Sequence, residues 1–221
     1  KPKNFSPLIA FIGIMMSMLS KKEKKKDIGN ILVGFAVLMF GMEAMSGAME
    51  GLRDNETFVQ MLTVFSNPVM GILFGTIFTA VIQSSSASVG VLQALSLTCN
   101  IPFSTAIPVI LGQNIGTTIT PIISSVKANT ESKRVAMSCL YIKIIGVVVV
   151  SGVFYALDAV VGFKFMESNV SAMTIAFVHT LFNILSTVIL LPFCTLLEKL
   201  AIKTIPDKKT DKEQDVFATL D

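Results

Sequence analysis

The run Gln83-Ser84-Ser85-Ser86-Ala87 interrupts a long apolar stretch, Val69–Leu97, that contains no charged residue. Polar side chains at the depth of a lipid bilayer are costly unless they pair with each other or bind something. The apolar arms on either side, Val69–Ile82 and Ala87–Leu97, are each shorter than the ~20 residues that a membrane crossing needs. We therefore predict two half-length helices that meet at a polar, partly unwound tip.

Composition indicates an integral membrane protein. Of the 221 residues, 52% are hydrophobic and 15% are charged, whereas a soluble domain has about 25% charged residues. The mean hydropathy is +0.70. Charges are concentrated in segments such as Lys21–Lys26 and Lys199–Lys212, so we assign the net charge of +3 to cytoplasmic loops and expect no nucleic-acid partner.

The start of the chain and the spacing of its cysteines are also informative. The first apolar run, Leu8–Leu19, is not followed by a signal-peptide cleavage site, and we expect the chain to begin partway through a larger protein. The three cysteines are widely spaced, which argues against a disulfide framework or a zinc site.

The hydrophobic pattern predicts an all-α fold in three parts. Residues 1–27 form a short apolar run and a basic cytoplasmic loop, residues 28–206 a membrane region with a re-entrant hairpin at 69–97, and residues 207–221 a polar cytoplasmic tail. The predicted segments are Phe5–Leu19, Ile28–Met49, Leu52–Phe65, Val69–Leu97, Ser104–Val126, Val135–Leu157 and Ala172–Leu197. Asn67-Pro68 is predicted to cap and begin the first arm of the hairpin.

The basic residues distinguish two topologies for Val69–Leu97. If the stretch turns back at the serine run, the segments Lys21–Lys26, Lys127–Arg134 and Lys199–Lys212 lie on one face of the membrane. If it crosses once, every later loop inverts and most basic residues fall outside. Because cytoplasmic loops are enriched in Lys and Arg, the charge pattern favours the hairpin.

The segment Ser104–Val126 is also unusual, because it contains Pro108, Pro121 and the sequence GQNIGTT at 112–118. These residues predict a crossing helix that is broken near its centre. Carbonyl groups freed by such a break are tolerated only inside protein or beside a water-filled cavity. The alternative is that the Gly and Thr residues serve only close helix packing.

Three motifs together resemble the type II sodium/phosphate cotransporter family, and its bacterial members most of all. They are QSSSA at 83–87, GQNIGTT at 112–118 and HTLFN at 179–183, with supporting matches at Gly41–Ser46 and Ser66–Pro68. The resemblance extends from about Ile28 to Pro206. It implies an inverted-repeat secondary transporter whose two halves each carry one Gln-Ser-Ser-Ser hairpin.

Because one such hairpin is present, the resemblance implies that this chain is the C-terminal half. Residues 28–206 would then be its membrane transport repeat, and residues 1–27 would include the end of the preceding half. Its partners would be the missing first repeat or a second copy of this chain, besides the lipid bilayer. The tail would lead into a PhoU-like cytoplasmic region.

The resemblance also implies a binding site for inorganic phosphate and for Na⁺ as the coupling ion. Serine hydroxyls and the N-terminus of the second arm would donate to the anion, and sodium would be bound by amide, hydroxyl and carbonyl oxygens. We expect Gln83, Ser84, Ser85 and Ser86 to bind phosphate, and Gln83, Ser85, Asn114, Thr117 and Thr118 to bind sodium.

One position departs from the family pattern. A His-x-x-x-Asn pair is expected in the helix after the Thr-rich segment, but Cys139 and Lys143 stand there. Lys143 lies ~13 Å beyond Arg134 along a helix and is expected either to pair with Glu43 or to face a cavity. His179 and Asn183 are expected to form an interhelical hydrogen-bonding pair rather than to bind ligands.

The predicted function is sodium-coupled symport of inorganic phosphate across the cell membrane by alternating access. Alternatives are export of phosphate or another small oxyanion, and a phosphate-sensing membrane module without flux. Enzymatic catalysis is not expected, because the single His has no accompanying triad or acidic cluster. The serine run could also be only a polar linker or a small-residue packing face.

Overall fold

The computed structural model describes residues 5–52 and 55–206. No β-strand occurs in these residues, and the prediction of an all-α fold is confirmed. The α-helices are α1 Ser6–Leu19, α2 Glu23–Met49, α3 Glu56–Val64, α4 Pro68–Ile82, α5 Ser85–Thr98, α6 Phe103–Gly116, α7 Ile119–Ser125, α8 Thr130–Val161, α9 Ala172–Leu190 and α10 Cys194–Thr204. Short 3₁₀ turns lie at Glu50–Leu52, Lys164–Glu167 and Leu191–Phe193. The predicted tail at 207–221 lies outside the described residues.

Among the described residues, four helical stretches are long and apolar enough to cross a membrane, which makes the chain a membrane protein. They are Glu23–Ala48, Phe103–Ser125, Thr130–Val161 and Ala172–Thr204. A fifth arises if α3 and α4, which are bent by 110° relative to each other, are counted as one span.

The helices α1 and α2 form a hairpin joined at Ser20–Lys22. Gly13 and Gly29 let the two backbones approach closely, and Ser17 Oγ donates to Asn30 Oδ1 over 2.7 Å. The basic loop predicted before Ile28 is shorter than expected, because α2 begins at Glu23. Lys and Glu are good helix formers, so the basic residues extend the helix beyond the apolar pattern.

The two predicted arms are confirmed as α4 and α5, of 15 and 14 residues. Asn67 caps α4, with its Oδ1 accepting from the amides of Val69 at 3.0 Å and Met70 at 3.2 Å. The unwound tip is narrower than predicted, because Gln83 and Ser84 alone separate the helices. Ser84 Oγ accepts from the amide of Ala87, and this cap draws the next two serines into the first turn of α5.

Contacts between α4 and α6 establish the direction of each arm. Gly71 near the start of α4 lies against Pro108, and Gly75 lies against Val109. Nearer the ends of both helices, Gly116 lies against Thr76. The two helices therefore run parallel, and α5, which connects them, carries the chain back towards the start of α4.

The predicted break near the centre of Ser104–Val126 is confirmed, at Thr117–Thr118 between α6 and α7. Pro108 and Gly112 do not unwind the chain, since both lie inside α6, which continues to Gly116. Gly112 instead allows close packing against Ile72 of α4. Small residues at such positions let helix backbones approach closely in membranes.

Helices α8 and α9 complete the core around α6. One cluster of buried side chains includes Ile101, Ile110 and Ile175; a second joins α6, α8 and α9 through Leu111, Val147 and Phe182. The predicted segment Ala172–Leu197 is divided by the 3₁₀ turn that contains Pro192, because proline lacks the amide hydrogen needed to continue an α-helix.

Candidate functional site

The α4–α5 tip presents several polar groups. Gln83 has a left-handed backbone with φ of +56°, and its side chain is exposed, whereas Ser84 and Ser85 are partly buried. The hydroxyls of Ser84 and Ser86 lie 3.4 Å apart. The first amides of α5 have no acceptor within their own helix and carry the positive end of its dipole. The tip therefore combines hydroxyl and amide donors.

One turn below the tip, a buried polar cluster joins α4, α5 and α6. Thr79 Oγ1 and Ser88 Oγ lie 2.7 Å apart, and neither residue is exposed at all. Gln113 Nε2 donates to the carbonyl of Ser88 over 3.1 Å. Gln113 Oε1 is buried and accepts no hydrogen bond from the described part of the chain. Such an oxygen can bind a cation, because a buried acceptor without a donor is costly.

The hydroxyls of Thr117 and Thr118 bond within their own helical segment. Thr117 Oγ1 donates to the carbonyl of Asn114, and Thr118 Oγ1 donates to that of Ile115, each over 2.7 Å. Their lone pairs remain available as acceptors. These bonds hold the chain at the interruption between α6 and α7.

Asn114 faces a different side of α6 from Gln113. Its Nδ2 donates to the carbonyl of Ile110, and its Oδ1 lies 3.4 Å from Nζ of Lys143 on α8. Lys143 also donates to Asn183 Oδ1 on α9 over 2.7 Å. Within the described residues these asparagines are the hydrogen-bond partners of Lys143. Of the two alternatives expected for Lys143, pairing with Glu43 is wrong, and facing a cavity stays a prediction.

The prediction that His179 and Asn183 form hydrogen bonds between helices is confirmed for Asn183, which accepts from Lys143 of α8. His179 differs: its Nε2 is buried and makes no hydrogen bond with any residue that the structure describes. His179 and Asn183 both line an open cavity of about 490 Å³.

The structure thus divides the predicted site residues between two neighbouring groups. Gln83, Ser84, Ser85 and Ser86 lie at the tip, whereas Asn114 lies towards α8 and α9. In the described residues, no hydrogen bond joins the tip to Asn114, Thr117 or Thr118. Gln113 and Asn114 link the two groups, because they are adjacent in α6. Gln113 donates to the Ser88 carbonyl of α5, and Asn114 accepts from Lys143 of α8.

The protein-family model of the Na⁺/Pi-cotransporter matches residues 1–47 and 38–175. The chain belongs to the Na⁺/Pi-cotransporter family. The match includes both the serine tip and the GQNIGTT sequence, and it agrees with the resemblance carried by those motifs.

Relatives support the same family. The chain is 28% identical over 201 residues to "Uncharacterized protein YqeW" of Bacillus subtilis, covering 90% of this chain and 64% of that protein. It is 23% identical over 189 residues to "Putative inorganic phosphate export protein YjbB" of Escherichia coli, covering 85% of this chain and 34% of that protein.

A human relative is more similar over a shorter region. "Sodium-dependent phosphate transport protein 2B" is 32% identical over 100 residues, covering 43% of this chain and 14% of that protein. The chain spans less than two thirds of the length of each of these three relatives. No solved structure matches the chain.

Sequence reasoning did not assign four polar residues to the site: Thr79, Ser88, Gln113 and Lys143. Thr79 precedes Gln83 by four residues and Ser88 follows Ser84 by four, so helical spacing could have identified both. Gln113 lies in the sequence GQNIGTT at 112–118, which had already indicated the site. The partners of Lys143 depended on how three helices pack.

Proposed function

We propose that the complete protein couples movement of inorganic phosphate to sodium by alternating access, in the cell membrane. In this proposal α4 and α5 are a re-entrant hairpin that enters the bilayer and leaves on the same side. The supporting observation is the reversal of the chain at Gln83–Ser84, which brings serine hydroxyls and the first amides of α5 to a shared tip. Transporters of several folds bind substrate at such discontinuous helices.

Phosphate binds at the tip, to the hydroxyls of Ser84, Ser85 and Ser86 and the side chain of Gln83. The N-terminus of α5 favours an anion, because its dipole places about half a positive charge there. Hydrogen bonds to a charged ligand are worth ~1.5–3 kcal/mol each.

Sodium binds to oxygens on the α6 side of the hairpin. Gln113 Oε1 is the strongest candidate ligand, since it is buried and accepts no hydrogen bond from the described residues. The ligands expected from the sequence remain part of the proposal: Gln83, Ser85, Asn114, Thr117 and Thr118. Bound sodium and bound phosphate attract each other, so each lowers the cost of binding the other.

The hairpin faces a second, inverted copy of the repeat, and the two copies form the transport site together. That copy is either the first half of a longer protein or another molecule of this chain. An opposing tip would bring additional donors to the anion, because one tip surrounds it on one side only.

The decisive experiment measures uptake of radiolabelled phosphate into vesicles that contain the full-length protein. An inward sodium gradient should accelerate uptake relative to an equal choline gradient. Phosphate binding without flux under either gradient would instead support the sensing module, and absence of both binding and flux would contradict the proposal.

Export is the second candidate, and it is supported by the name of the Escherichia coli relative, a putative inorganic phosphate export protein. The same donors serve either direction of movement. Vesicles preloaded with phosphate distinguish the two: symport predicts that efflux follows an outward sodium gradient, whereas an exporter independent of sodium predicts efflux that is the same in choline.

A further inference from the structure

The ammonium group of Lys143 lies between two oxygens that belong to two other helices. Its Nζ is 2.7 Å from Asn183 Oδ1 on α9 and 3.4 Å from Asn114 Oδ1 on α6. Asn114 is 1% exposed. The lysine therefore joins three helices through contacts with neutral groups.

Both asparagine oxygens are fixed in orientation. Asn114 Nδ2 donates to the carbonyl of Ile110 over 2.9 Å, and Asn183 Nδ2 donates to the carbonyl of His179 over 2.8 Å. Since each amide nitrogen is held by the carbonyl one turn earlier, each amide oxygen points towards Nζ. Amide oxygens that converge on one point accept from an ammonium group, and carbonyl oxygens also coordinate Na⁺ in transporters.

The position of Lys143 in α8 makes its charge expensive. It lies 13 residues, or ~20 Å, after Thr130 in a 32-residue helix. In the described part of the chain no carboxylate lies within salt-bridge distance of Nζ. A charge at membrane depth that is paired only with neutral oxygens indicates a functional use.

We propose that Lys143 is a tethered cation that occupies the position of one coupling sodium ion between Asn114 and Asn183. The proposal rests on the proposed function. The ammonium group and Na⁺ carry the same charge and compete for the same two oxygens. Asn114 then holds the lysine instead of a sodium ion in this chain, which revises its place among the sodium ligands expected from the sequence. The lysine supplies fixed positive charge to the site, and the protein binds one sodium ion fewer per phosphate than it would without it.

The first test measures sodium binding without transport. Full-length protein in detergent is heated in NaCl or in choline chloride of equal ionic strength, without phosphate. Lys143→Met removes the charge and keeps an unbranched side chain, so Na⁺ can reach the vacated oxygens. At a Na⁺ concentration about ten times the dissociation constant of the variant for Na⁺, NaCl should raise the unfolding temperature of this variant by about 3–6 °C beyond the wild-type response.

Matched variants control for general effects. Lys164→Met removes an exposed lysine from the α8–α9 connection and should respond to NaCl as the wild type does. Lys143→Arg keeps the charge and should also show no additional sodium response. If Lys143→Met is folded only in NaCl, the proposal is supported. If Lys143→Met responds to NaCl as the wild type does, the proposal is overturned. It is also overturned if both Lys143→Met and a second neutral variant, Lys143→Gln, fail to fold in either salt.

The second test measures the sodium dependence of phosphate uptake in vesicles. Lys143→Met should raise the Hill coefficient for sodium, by up to one, because one more ion joins each cycle and the number of sites sets the upper bound of the coefficient. An unchanged coefficient in an active variant would overturn the inference and leave the proposed function intact. Wild-type protein that moves no phosphate would overturn the proposed function, whereas the melting experiment would still decide the role of Lys143.

Discussion

The hydroxyls of Thr79 and Ser88 lie 2.7 Å apart across the α4–α5 hairpin, and both residues are completely buried. These positions stand nine residues apart, on either side of the reversal at Gln83–Ser84. Their hydrogen bond closes the hairpin below its tip. It also places the Ser88 carbonyl where Gln113 of α6 donates to it.

Thr79→Val should weaken the hairpin. Valine has nearly the same shape as threonine but leaves the Ser88 hydroxyl buried without this partner, at a cost of ~1–3 kcal/mol. Thermal unfolding of the full-length protein in detergent measures the loss. Thr187→Val is the matched control, because Thr187 is exposed and bonds only within its own helix.

The double variant Thr79→Val, Ser88→Ala gives a sharper version of the same test. It should lose less stability than the two single variants combined, because both remove the same hydrogen bond. Strictly additive losses would show that the two hydroxyls act independently.

Gly75→Ala should disrupt the contact between α4 and α6. A methyl group at Gly75 would collide with the backbone of Val109, which cannot rotate away as a side chain can. Overpacking of this kind costs ~1–3 kcal/mol or more. Size-exclusion profiles and unfolding temperatures measure the effect.

Gly152→Ala in α8 is its control, because nothing lies within 4 Å of a methyl group placed there. That variant should be neutral or stabilised by up to ~1 kcal/mol. Equal behaviour of the two alanine variants would contradict the packing seen between α4 and α6.

Gln83→Ala combined with Ser85→Ala should impair phosphate uptake. Loss of two hydrogen bonds to a charged ligand at ~1.5–3 kcal/mol each predicts a rise of 100-fold or more in the phosphate concentration for half-maximal uptake. Ser96→Ala, farther along α5 and bonded to its own helix, should transport normally. Unchanged uptake in the double variant would remove these residues from the site.

Gln83→Gly separates the fold from the site. Glycine adopts a positive φ without strain, so this variant should be at least as stable as the wild type while binding phosphate less tightly. Gln83→Val should lose ~1–3 kcal/mol, because a β-branched residue is strained there. Unfolding temperatures with phosphate-binding measurements distinguish the two effects.

Cysteine labelling tests the re-entrant path of α4 and α5. In full-length protein whose native cysteines are replaced by serine, Ser66→Cys and Asn100→Cys should react with an impermeant maleimide from the same side of the membrane. Lys127→Cys, after α7, should react from the other side. Labelling of Ser66→Cys and Asn100→Cys from opposite sides would contradict the re-entrant hairpin.

The sequence by itself determined the helices and the position of the reversal. An apolar stretch too short for two crossings, interrupted by Gln83–Ser86, predicts two short helices because uncompensated polar groups are excluded from lipid. The Asn67-Pro68 signal predicted the start of α4 for a similarly local reason, since capping depends on adjacent residues. Boundaries were less accurate where helix-forming charged residues precede an apolar segment, as at Glu23, five residues before the predicted start at Ile28.

Tertiary structure alone decided how the site is assembled. The sequence indicated that Gly112 and Gly116 are special, but unwinding and close packing require the same residue type, and only the approach of α4 selects packing. Gln113 and Asn114 are adjacent, yet one bonds Ser88 and the other lies beside Lys143. Successive helical residues project in directions about 100° apart, and the neighbour that each one meets depends on where α5, α8 and α9 pack.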